Sequence, residues 1–167
     1  MTASALHRVG QFWRHASARV TPEERAAAQR LLGPELARLF AQLPINDQRH
    51  GLDVLQTLIR SEGQPDRLVQ QAALLHDIGK AGARISVIDR SLAVFLEAVS
   101  PRLLDAMLRL RPGFARRFAV YRDHARVGAE QLAAAGAGEL ALIVAEHHAL
   151  VPRLAATRQL QGADRRR

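Results

Sequence analysis

The sequence predicts an all-α bundle with an N-terminal helical extension, and three observations carry that reading. Apolar residues make up 48 % of the 167-residue chain and aromatic residues 4 %, the apolar share being mostly Ala, Leu and Val. That mix suits helices packed on helices over a β-sandwich. Apolar positions recur at helical spacing, and no segment sustains a period-2 alternation. Proline, glycine and capping residues punctuate the chain at intervals that fit ordinary helices.

The elements follow in order. Residues 4–19 fit a helix with Leu6, Val9, Phe12 and Trp13 on one side, where Phe12 and Trp13 read as core staples of the extension. Thr21-Pro22-Glu23-Glu24 is a start signal: Thr21 caps, Pro22 suits the first helical position and Glu24 completes a capping box. Gly33-Pro34 interrupts this helix, which resumes over 35–43 and stops at Pro44. A helix is expected from Asn46 or Asp47 to about Glu62, and Pro65-Asp66 opens another that ends at His76–Gly79. Segments near 85–98, 101–111 and 114–121 are separated by Pro101 and Pro112-Gly113. Asp123 is expected to cap a helix over 124–135, and helices over 139–148 and 152–161 follow Gly136 and Gly138. The chain divides into an extension, 1–45, and a bundle, 46–167. No internal repeat is visible.

Bulk properties narrow the function. The chain has no cysteine, so disulfides and thiolate metal sites are excluded and any metal must sit on histidine and carboxylate. The net charge of +8 suits an anionic partner, and a solvated basic surface, including the tail Arg165, Arg166 and Arg167, accounts for it too. Scarce aromatics and the lack of a recognition motif weigh against nucleic-acid binding. No apolar run approaches the roughly 20 residues of a membrane span. The N-terminal segment does not read as a signal peptide, so a cytoplasmic location is expected.

Five of the seven histidines fall between residues 50 and 148: His50, His76, His124, His147 and His148. Imidazoles and carboxylates are what a divalent cation accepts in a cysteine-free protein. Adjacent His76 and Asp77 would diverge in mid-helix, but at a helix end released by Gly79 both can turn toward one ion. Spacing alone leaves a metal site and a chance gathering both open. His7 and His15 precede this region and are read as non-ligands.

The local sequence goes further. Leu74-Leu75-His76-Asp77-Ile78-Gly79-Lys80 resembles the HDIG form of the HD superfamily of metal-dependent phosphohydrolases. His50, in Arg49-His50-Gly51-Leu52-Asp53, resembles that family's first histidine, and Asp164, in Leu160-Gln161-Gly162-Ala163-Asp164, its terminal aspartate. The resemblance covers about residues 46–165. It implies a helical HD domain with His50, His76, Asp77 and Asp164 as metal ligands. Tyr121–Glu130, containing His124, and Val144-Ala145-Glu146-His147-His148 resemble the dinuclear HD-GYP-type members. That layer implies a second ion on His124, His147 and His148, with Asp77 as the bridge. Ala149-Leu150-Val151-Pro152 stands where a Gly-Tyr-Pro segment would follow.

The implied chemistry is metal-assisted hydrolysis of a phosphoester or phosphoanhydride in a phosphorylated, nucleotide-like small molecule. One or two divalent ions, Mn, Fe, Ni, Co or Zn, would serve. Asp77 and Lys80 are the expected catalytic residues; Lys80, the sole lysine, could meet a phosphate oxygen or simply complement a helix end. Arg84, Arg122 and Arg126 could hold phosphate, and Asp53 and Glu146 could orient a ligand imidazole, although surface roles suit each. The competing class is a regulatory or scaffold module that keeps the fold without turnover.

Overall fold

The computed structural model describes residues 19–166 apart from 84 and 86. The expected helix over 4–19, with Phe12 and Trp13, lies outside them but for its last residue, as do His7, His15, Arg84 and Arg167. Among the described residues there are nine α-helices and no strand. None of those helices is long and apolar enough to cross a membrane.

Helix α1 is Pro22–Gln42. Thr21 Oγ1 accepts from Glu24 N–H and the Glu24 carboxylate accepts from Thr21 N–H, the expected capping box. Gly33, at φ 76°, kinks it before Pro34. Helix α2 is Ile45–Glu62. It starts a residue or two before the expected Asn46 or Asp47, because Pro44 takes the cap position without a side-chain bond. Helix α3, Arg67–Leu75, opens with Asp66 Oδ1 accepting from Leu68 N–H at 2.8 Å. The His76-Asp77 turn and a 3-10 helix, Ile78–Gly82, follow it.

Helices α4 (Val87–Val99), α5 (Pro101–Leu110) and α6 (Pro112–Arg122) come next. Pro112 is the first residue of α6 rather than a spacer before it, since that position needs no N–H donor. Helix α7 is His124–Ala134. Asp123 takes its cap position, but the Asp123 side chain makes no capping bond; the carboxylate faces Arg126 at 3.5 Å. Helix α8, Gly138–Ala145, stops short of the expected 148, and α9, Ala155–Asp164, lies three residues later than the expected 152–161. One side chain explains both shifts. The Glu146 carboxylate accepts from the N–H groups of Arg153 (3.1 Å) and Leu154 (2.8 Å), which holds 146–154 as a closed loop.

The main core gathers α1, α2, α3, α7, α8 and α9 around Leu58, Leu74, Leu75, Ile78, Leu132, Leu140, Ile143 and Leu160, all nearly without solvent contact. Each such side chain contributes about 1.5–3 kcal/mol. A second cluster, Ala93, Leu104, Phe114 and Phe118, unites α4, α5 and α6. The molecule is therefore a bundle with a helical excursion that leaves after the 3-10 helix and returns at His124.

Helix α1 is tied to α2 by Arg49, whose guanidinium meets Glu24 at 2.6 Å and Asp53 at 2.9 Å. The hydrogen bond from Arg49 leads in holding the Glu24 carboxyl below its usual value. A depressed folded value means that the stabilisation is present above the unfolded pKa of about 4.3 and lost as pH falls through the folded one. Glu24→Gln keeps the capping bond and removes the ion pair. Urea unfolding is expected to show a loss of about 0.5–1 kcal/mol at pH 7, shrinking toward zero below about pH 4.

Candidate metal centre

Apart from His50, the site is built where helices begin or end. His50 lies on α2, one residue before Gly51, and a Cβ at Gly51 would come within 2.9 Å of the Leu74 carbonyl oxygen. That close approach seats α2 against the end of α3, from which His76 and Asp77 project. A Cβ on Gly79 would collide with the carbonyl of His124 and lie 2.7 Å from Gly128 N, so the 3-10 helix rests directly on the start of α7.

Three imidazoles are aimed by one device. The ring Nδ1 of His76 faces Ala73 O at 3.1 Å, that of His124 faces Tyr121 O at 2.7 Å, and that of His147 faces Val144 O at 2.6 Å. In each case the acceptor is the carbonyl three residues earlier. The pairing assigns the proton to Nδ1 and leaves the Nε2 lone pair for the cavity.

Asp77 stands at the centre, 3 % exposed. Its Oδ2 lies 3.5 Å from His76 Nε2, 3.9 Å from His50 Nε2 and 2.6 Å from Lys80 Nζ. Its Oδ1 lies 3.3 Å from His124 Nε2 and 4.0 Å from His147 Nε2. Around it are two groups of three whose donor atoms lie within 4.8 Å of one another: His50, His76 and Asp164, and His124, His147 and His148. His50 Nε2 is 3.0 Å from Asp164 Oδ1, and the Nε2 atoms of His124 and His148 are 2.9 Å apart.

Burial works against the charged form of Asp77, yet the groups around it, with the Lys80 ammonium donating to Oδ2, outweigh that cost and hold the carboxyl well below its usual range. Burial lowers His76 and pushes His147 down to about 3, so both rings are neutral. Burial lowers His148 as well, aided by His124. Burial also disfavours charged His50, but the Asp164 hydrogen bond and the nearby carboxylates raise it overall; the same bond lowers Asp164 against its own burial.

These residues fit a divalent cation. His147 Nε2 is buried with no hydrogen-bond partner among the described residues. A neutral imidazole with an orphaned lone pair beside a carboxylate is a donor without an acceptor, which a metal ion supplies. All seven expected ligands, His50, His76, Asp77, His124, His147, His148 and Asp164, lie in this one region.

Of the other expected residues, Asp53, Glu146, Arg122 and Arg126 have partners outside the cluster. Asp53 pairs with Arg49, and Glu146 braces the loop before α9. Arg122 faces Glu97 at 3.8 Å, and Arg126 pairs with Glu130 at 2.6 Å. Lys80 is held on Asp77, with its ammonium 5.8 Å from the Tyr121 ring centre. Sequence reasoning missed Gln161, whose amide nitrogen donates to the carbonyls of His147 (3.0 Å) and Ala149 (2.8 Å). The usable signal was its place one helical turn before Asp164. Gly79→Ala would push the 3-10 helix off α7. The expected outcome is a loss of about 1–3 kcal/mol in urea unfolding, with lowered metal content in the folded fraction.

A family model for the HD domain matches residues 49–165. No curated protein and no solved structure matches the chain. The matched span opens one residue before His50 and closes one residue after Asp164, so it takes in the whole cluster around Asp77. By that match, over most of its length, the chain belongs to the HD domain family.

Proposed function

We propose that the chain is a metal-dependent phosphohydrolase acting on a phosphoester or phosphoanhydride of a nucleotide-type substrate. Residues 46–167 would form the HD domain and residues 1–45 a helical extension packed on it. Support for the extension comes from α1, whose Ala28, Leu32 and Phe40 enter the main core.

The observation that carries the reading is the divided Asp77 carboxylate, with one oxygen toward each histidine group. His50, His76, Asp164 and Asp77 would hold one divalent ion; His124, His147, His148 and Asp77 would hold a second. Imidazole and carboxylate donors suit Mn, Fe, Ni, Co or Zn. Divalent ions bound there would supply a water nucleophile near neutral pH and offset charge on a phosphoryl group.

The chain's own residues do the remaining work. Asp77, ionised and buried, fixes the charge at the centre. The backbone-anchored imidazoles keep their Nε2 atoms aimed inward without a reorganisation cost. Lys80 gives one N–H to Asp77 Oδ2 and has two more for a phosphate oxygen.

Metal analysis of purified protein is expected to give about two ions per chain, and His124→Ala about one. A value of about one in both would leave a mononuclear centre. Asp77→Ala is expected to keep its helical circular dichroism, lose at least one ion and lower hydrolysis by more than about 100-fold. Lys80→Ala should keep the metal and raise KM. The assay panel is phosphomonoesters, dinucleoside polyphosphates and cyclic dinucleotides under each metal. No turnover on that panel, with Asp77→Ala indistinguishable from wild type in the cell, would replace this reading with a regulatory or scaffold module.

A further inference from the structure

The end of α9 carries more than Asp164. Gln161 and Arg165 lie one turn apart on this helix, and Arg165 donates from a guanidinium nitrogen to Gln161 Oε1 at 3.0 Å. The amide nitrogen of the same Gln161 holds the His147 and Ala149 carbonyls. The guanidinium is therefore tethered to the side chain that fixes the second histidine turn.

A cavity of about 150 Å³ opens between that turn, His147–Leu150, and the Asp164-Arg165 end of α9. Lys80 is not part of its lining. Among the described residues, no carboxylate lies within ion-pair distance of Arg165, although Asp164 lines the same cavity. Arg165 carries five N–H donors, of which Gln161 takes one. A guanidinium tethered by one bond, with spare donors, next to imidazoles and joined to no acid by an ion pair, is a receptor for a tetrahedral oxyanion. The size of the cavity limits what enters. Pockets for whole small molecules run from about 300 to 1,000 Å³, so this one admits a phosphoryl group and leaves the rest of the molecule outside.

We propose that Arg165 binds the phosphoryl group of the substrate, with Gln161 holding its guanidinium at the cavity wall. The proposal rests on the phosphohydrolase reading above. It assigns a substrate contact to a residue that, in sequence, looks like part of a solvated basic tail.

The test is calorimetric titration of inorganic phosphate into metal-loaded protein, with metal content measured on each sample. Arg165→Ala is expected to retain the wild-type metal content and to weaken phosphate binding about tenfold or more. Arg165→Lys should recover only part of the affinity, because an ammonium lacks the planar fork. Arg166→Ala removes the same charge from a neighbour that bonds the Gly162 carbonyl instead, and should stay within about twofold of wild type. Unchanged phosphate affinity in metal-loaded Arg165→Ala, or an equal loss in Arg166→Ala, overturns the role of Arg165 alone. Wild-type protein that takes up no divalent ion overturns the phosphohydrolase reading together with it.

Discussion

Asp77 sets the terms for the rest of the molecule. An ionised carboxylate that is 3 % exposed cannot be removed from water without partners around it. Lys80 supplies the opposite charge at 2.6 Å, and imidazoles approach both oxygens. Those partners lie far apart in sequence, so the bundle must bring the middle of α2, the ends of α3 and α9, the start of α7 and the turn after α8 to one point. The apolar core fixes which helices meet, and the buried charge fixes where they end.

Helix ends suit this task because their backbone groups are not all committed. His76 and His147 use carbonyls in the last turns of α3 and α8, and His124 uses one in the last turn of α6. An imidazole anchored in this way cannot spin to present its other nitrogen, so ring orientation is settled by secondary structure before any ligand arrives. His148 has no such anchor; it is the exposed member of its group and contacts His124 instead.

Much of this was legible in the sequence because its causes are local. The Thr21-Glu24 capping box, the Asp66 cap and the Gly33 kink each depend on a few adjacent residues. The His76-Asp77 pair before Gly79 marked the centre, and the other residues gathered around Asp77 were named from the resemblance it carries. Asp123 looked like a cap, but Arg126, one turn on, takes its carboxylate. The rest of what escaped notice depends on partners farther along the chain. The ends of α8 and α9 moved because Glu146 reaches the backbone seven and eight residues on. Gln161 gains its role only because α9 packs beside a turn 14 residues earlier in the chain.

The excursion formed by α4, α5 and α6 has its own small core, and it rejoins the bundle where Gly79 lies against the start of α7. That contact closes the excursion at its base. Loop-closure entropy rises only logarithmically, by about 0.6 kcal/mol for each doubling of length. The base can therefore keep Asp77 and His124 in register while the segment above it grows, shrinks or changes character. Such a layout works as a socket: the chemical centre sits on one side of a tight backbone contact, and on the other sits a module that can change without rebuilding the centre.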